Sequence, residues 1–99
     1  MRKGTTPTLT FKLPFETAML ANAKVTLRQD DAVLEKRLCD CATAENSLTV
    51  KLTQEETFLF DCNSHIKAQL RVVTINGDAL ASDIFTIFVA QCLDNEVIS

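Results

Sequence analysis

The sequence predicts an all-β fold, an antiparallel β-sandwich. Four segments alternate apolar and polar residues with the two-residue period of a half-buried strand. Asn76-Gly77-Asp78 supplies a hairpin turn after the last of these segments, because Asn and Gly accept positive φ. The clearest helix signal is a single capping box.

The segments follow in order. Thr8 to Leu13 places Leu9, Phe11 and Leu13 on one face, and Pro14 ends it because it has no N–H for a ladder. Residues 14–22 form a connection with a helical turn expected at Glu16 to Leu20. Lys24 to Gln29 alternates again, and Asp30-Asp31 makes a tight turn from short acidic side chains. Val33 to Leu38 returns as a strand, but Val33 and Leu34 are adjacent apolar residues, which a bulge or an edge position explains. Residues 42–47 read as a polar loop, and Leu48 to Leu52 as the next strand. Thr53-Gln54-Glu55-Glu56 is the capping box and opens a short turn ending near Phe58. Ile66 to Val72 is a full strand, and Ala81 to Cys92 returns after the Asn-Gly-Asp turn.

Residues 1–99 therefore make one domain, an immunoglobulin-like sandwich of six to seven strands with one short helical turn. The alternative is a small α+β domain with residues 14–22 or 31–38 helical. Leu34 and Leu38 sit at i and i+4, as an amphipathic helix requires.

Composition narrows the function. The chain is 46% hydrophobic and 23% charged, enough apolar surface to support one core. A net charge of −3 argues against a primary nucleic-acid binder, which needs a Lys/Arg excess. Arg2-Lys3 begins like a signal peptide, but Lys12, Pro14 and Glu16 interrupt any apolar region after it. The longest apolar stretch, near Ile84 to Leu93, is too short to span a bilayer as a helix. The expected location is cytoplasmic, or virion-associated after assembly, with no membrane partner. Cys39, Cys41, Cys62 and Cys92 are then expected as free thiols.

Candidate chemistry is sparse. Cys39-Asp40-Cys41 with Cys62 and His65 is a candidate metal or ligand cluster, yet its spacing departs from that of structural zinc sites. Small buried cysteines are the plainer account. His65, the only histidine, has no nucleophile signature near it, and its strand face is shared with Lys67, Gln69 and Arg71. Paired acids at Asp30-Asp31 and Glu55-Glu56 are explained by turns and capping, and no glycine-rich phosphate loop exists. No enzyme, cofactor, metal or small-molecule substrate is expected. Lys67 and Arg71, joined by Lys24 and Arg28, form a basic stripe that reads either as an anion-contact face or as an ordinary solvated sheet face.

The last strand is apolar on both faces. Asp83, Phe85, Ile87 and Val89 lie on one, and Ile84, Thr86, Phe88, Ala90 and Cys92 on the other. Either residues 93–99 cover the second face or another chain does, since large bare apolar patches are uncommon. Ile84, Phe85, Ile87, Phe88 and Val89 are the candidate interface residues, with self-association, such as a homodimer, or another structural protein as the expected partner.

Three segments carry a family resemblance: Arg2-Lys3-Gly4-Thr5-Thr6-Pro7-Thr8, Lys51-Leu52-Thr53-Gln54-Glu55-Glu56-Thr57, and the ending around Asp94, Glu96, Val97 and Ile98. Together they resemble a group of short uncharacterised Firmicutes and prophage proteins. The general layout also resembles the β-sandwich N-terminal domains of phage upper-baseplate proteins. That resemblance implies a non-enzymatic structural or protein-interaction module, a tail, baseplate or assembly part of a phage. It assigns no functional residues.

Overall fold

Alternating side chains need two surfaces to separate them, and the chain provides these by folding into two packed sheets. The computed structural model describes residues 1–93 and 96–98. Its strands are β1 (Thr8–Lys12), β2 (Leu20–Gln29), β3 (Ala32–Arg37), β4 (Cys41–Ala44), β5 (Ser47–Lys51), β6 (Ser64–Thr74), β7 (Ala79–Ala81) and β8 (Phe85–Val89), with one short helix, α1 (Gln54–Thr57), before β6. The first sheet has the order β1-β5-β4. The second has the order β3-β2-β6, and the far side of β6 is shared by β7 and β8. All strand pairs are antiparallel.

The chain crosses between sheets from β1 to β2, from β3 to β4 and from β5 to β6, with hairpins between crossings. This is an immunoglobulin-like Greek key. The core fills from both inner faces: Phe11, Leu48 and Val50 from the first sheet, and Val25, Leu27, Ile66 and Leu70 from the second. Phe60, between α1 and β6, is fully buried against Leu27, Leu52 and Ile66.

Local chemistry explains the connections. Thr53 caps α1: the Glu56 N–H donates to Thr53 Oγ1 at 3.1 Å, and the Thr53 N–H donates to Glu56 Oε1 at 2.8 Å. A 3-10 turn at Thr17–Met19 falls inside the connection expected to hold one. Gly77 adopts φ +88° in the turn between β6 and β7, as its Asn-Gly-Asp sequence requires. Asp30 takes φ +50° in the turn between β2 and β3.

The strand expected over 33–38 is present as Ala32–Arg37, with unbroken register from Lys24↔Arg37 to Gln29↔Ala32, so the alternative helix and the bulge do not occur there. The adjacent apolar pair is accommodated because β3 is an edge strand, with Leu34 packed inward and Val33 left exposed. Residues 42–47 are not a loop: Cys41–Ala44 pairs with β5 around a turn at Glu45-Asn46. Its Ala and Thr residues carry too little hydropathy contrast to announce a strand, and pairing with β5 supplies the order. The strand expected over 81–92 breaks into β7 and β8 at Ser82-Asp83-Ile84. Ser82 replaces the ladder there: its N–H donates to Leu70 O at 2.8 Å and its hydroxyl accepts the Leu70 N–H at 2.9 Å. The side-chain amide of Gln69 donates to Ser82 O at 3.0 Å.

Asp94, Asn95 and Ser99, part of the C-terminal segment considered as a cover and of the family resemblance, lie outside the described residues. Among the described residues no helix is long and apolar enough to cross a membrane.

Candidate interaction surface

Register with β6 decides which way β8 faces. Ile66 and Ala68 point into the core, and they pair with Ile87 and Phe85. Phe85, Ile87 and Val89 therefore face inward, while Thr86 and Phe88 face solvent with their partners Lys67 and His65. Val89 is fully buried and Ile87 half-buried, so neither offers a free surface, and these two candidate interface residues belong to the core. Phe85 is 48% exposed at the sandwich rim, where its ring lies 6.1 Å from that of Phe11. Ile84 and Phe88 are 60% and 47% exposed. Phe88 packs edge-on against His65, with ring centroids 5.3 Å apart.

Of the described C-terminal residues, Ile98 is tied to α1 rather than to this patch: the Gln54 amide donates to Ile98 O at 2.7 Å and accepts the Ile98 N–H at 2.8 Å. Leu93, Val97 and Ile98 remain exposed. The N-terminal segment takes the neighbouring edge. Arg2 pairs in parallel with Ala90, the Lys3 N–H donates to Ala90 O at 3.0 Å, and the Ala90 N–H donates to Met1 O at 2.7 Å. This strap is held at its base by Thr57, a fully buried residue whose hydroxyl accepts the Gly4 N–H at 2.9 Å. Gly4 takes φ +82° there, a conformation that strains any residue with a Cβ, and its open side faces the Phe58 ring.

Beside β8, the solvent face of the second sheet is built in rows. Arg37, Lys24 and Arg71 lie directly across from one another on β3, β2 and β6. Glu35, Thr26 and Gln69 form the next row, and Val33, Arg28 and Lys67 the third. Glu35 bridges Lys24 at 3.1 Å and Arg37 at 3.7 Å. Arg28, Lys67 and Arg71 make no ion pair among the described residues. Lys36, between the face residues Glu35 and Arg37, points the other way and pairs with Glu56 at the α1 cap. Burial pushes the Glu56 carboxyl up, but the Lys36 ammonium and the Thr53 bonds outweigh it and hold the group below the usual carboxylate range. The sequence stripe of Lys24, Arg28, Lys67 and Arg71 is thus a real face. Arg37, Glu35 and Val33 belong to it as well; an odd-numbered alternation along β3 was the signal for them, masked by the helix-like spacing of Leu34 and Leu38.

The cysteine and histidine candidates do not converge. Cys39 is exposed on a 3-10 turn at Leu38–Asp40, and Cys41 opens β4 against one core cluster, its thiol donating to Arg37 O at 3.2 Å. Burial, and then the Asp40 charge, push the Cys41 thiol up, away from thiolate reactivity. Cys62 packs on the other cluster, and His65 faces solvent beside Phe88. Among the described residues no group of three or more His, Cys, Asp or Glu side chains is placed to hold a metal ion. All four cysteines are unpaired. Compared with protein-family models, curated proteins and solved structures, the chain matches none.

Proposed function

We propose that this protein is a non-enzymatic protein-interaction module whose contact surface is the solvent face of the second sheet, β3-β2-β6-β8. The observation that carries this reading is the pair Ile84 and Phe88, large apolar side chains left 60% and 47% exposed just before and on the outer strand β8. Of the two partner types expected, a different chain is favoured over a second copy. The free edge of β8 is short, since the N-terminal strap occupies it at residues 88–90, and stacking two copies face to face would oppose their basic rows. A tail, baseplate or assembly part of a phage, as the resemblance implies, is one setting for such a module.

Affinity capture from cells that produce the protein tests the reading with three baits: wild type, Ile84→Ser/Phe88→Ser on the proposed face, and Lys12→Glu/Lys51→Glu on the opposite sheet. A specific partner retained by the first and third baits and lost by the second is the expected result. The same proteins recovered with all three baits would remove the surface from consideration.

A further inference from the structure

We infer that the partner is an acidic protein segment in extended conformation, lying along β2 and β6 across the two cation pairs Lys24↔Arg71 and Arg28↔Lys67. This rests on the proposed contact surface and adds what that surface recognises.

Register forces the argument. Directly opposed residues on one face have Cβ atoms about 4.5–5.5 Å apart, and like charges so placed repel. The second sheet does this twice, and Arg37 extends one pair to three cations in a line. Among the described residues only Glu35 bridges to them, and it is spent on Lys24 and Arg37. Five cations against one carboxylate give this face a formal charge of +4; since the whole chain carries −3, the remainder carries −7. A sheet in an acidic chain has no structural need to concentrate its cations in opposed pairs. The arrangement relaxes when carboxylates enter between them.

The geometry then defines the ligand. Arg28 lies four residue steps beyond Lys24, about 13 Å at ~3.3 Å per strand residue. An extended segment whose carboxylates recur at every fourth residue presents them on one face at the same interval. Between the two pairs lie Thr26 and Gln69, neutral hydrogen-bonding side chains. A shallow hollow of about 480 Å³ runs over these residues, with Val33 and Ile84 at its sides. Apolar flanks suit a peptide with apolar residues beside its acids. A nucleic acid fits less well, because its charge continues beyond the hollow toward a chain that is −7 elsewhere.

The test uses ¹⁵N-labelled full-length protein and a capped synthetic peptide with Glu at every fourth position and Val and Ser between. Amide shifts are expected on Lys24 to Arg28, Lys67 to Arg71 and around Ile84, with affinity falling as salt is raised. Arg28→Glu/Lys67→Glu should weaken binding by at least about tenfold, while Lys12→Glu/Lys51→Glu should leave it unchanged. Both variants are checked for a native amide spectrum first. Shifts on another surface, equal binding by the charge-reversed variant, or absence of peptide binding at millimolar concentration would overturn the inference. So would tighter binding of duplex DNA or anionic vesicles, or salt-sensitive self-association that the peptide fails to displace. The contact surface itself survives these failures if Ile84→Ser/Phe88→Ser still loses the captured partner, so the two readings fail separately.

Discussion

The two solvent faces of this sandwich are made differently. On the first sheet the outward residues are Thr8, Thr10 and Lys12 on β1, Ser47, Thr49 and Lys51 on β5, and Ala42 and Ala44 on β4. They pair as Thr10 with Thr49, Thr8 with Lys51 and Lys12 with Ser47, so no like charges meet and no large apolar side chain is bare. Hydroxyls and a few separated cations are what a solvated sheet needs. The second sheet, in the same chain, opposes lysine to arginine twice and leaves Ile84 and Phe88 in water. A plain exterior is therefore within this fold's reach, and the second face departs from it in two independent ways. Charge and apolar exposure coincide on one surface, and neither helps the isolated domain.

Substitutions at adjacent residues of β8 break the comparison most sharply. Val89→Asp places a carboxylate in a fully buried site and should abolish folding, whereas Phe88→Asp, one residue away on the solvent side, should leave a cooperatively melting protein. Circular dichroism on both variants checks this; equal damage would mean that β8 does not face as described.

Next in size is the clamp beneath the face. Gln29, at the end of β2, is buried, and its amide bonds both ways with the Asp61 backbone, donating to O at 3.0 Å and accepting from N at 2.6 Å. Gln29→Leu orphans two backbone groups and should cost about 2 kcal/mol in urea denaturation.

A smaller effect comes from Lys36 and Glu56, which tie β3 to α1. Glu56→Gln should cost about 1 kcal/mol, the scale of a lost cap. Because the folded state holds this carboxyl below its unfolded value, its contribution is complete above about pH 4.3 and drains away as pH falls through the lower folded value. The wild type should lose more stability than Glu56→Gln on acidification through that window, as read from unfolding midpoints at successive pH values.

The smallest expected change has the opposite sign. Arg28→Thr/Lys67→Thr, which makes the second face resemble the first, should stabilise the domain by about 0.5 kcal/mol, more at low salt. A destabilised variant in the same melts would mean that the opposed cations serve the fold.

Much of this was legible in the sequence because a two-residue period states both strand and facing. The alternation through Leu9 and Phe11, Val25 and Leu27, and Ile66 to Leu70 named the core strands directly. The double-sided β8 also announced itself, although only register with β6 could show that Val89 is interior and Phe88 is not. Residues 41–44 stayed hidden because Ala and Thr barely differ in hydropathy. Residues 32–37 were ambiguous because Leu34 and Leu38 satisfy helical spacing as well. The break at Ser82 depends on a hydroxyl standing in for a backbone group, which no period records. The rows of the candidate surface join strands distant in sequence, so charge spacing along one strand pointed to the stripe but not to Arg37, Glu35 or the opposed pairs.

The N-terminal strap has a mechanical consequence. Met1–Lys3 runs parallel to the end of β8, joined by Lys3 N–H to Ala90 O, Ala90 N–H to Met1 O and the Met1 ammonium to Phe88 O. Tension applied through the two ends of the chain pulls parallel neighbours past each other, across the direction of their hydrogen bonds. Those bonds then share the load and must yield together, whereas an antiparallel hairpin pulled from its open end unzips one bond at a time. The strap and the end of β8 are latched in shear, so Met1–Lys3 leave β8 only when these bonds yield together.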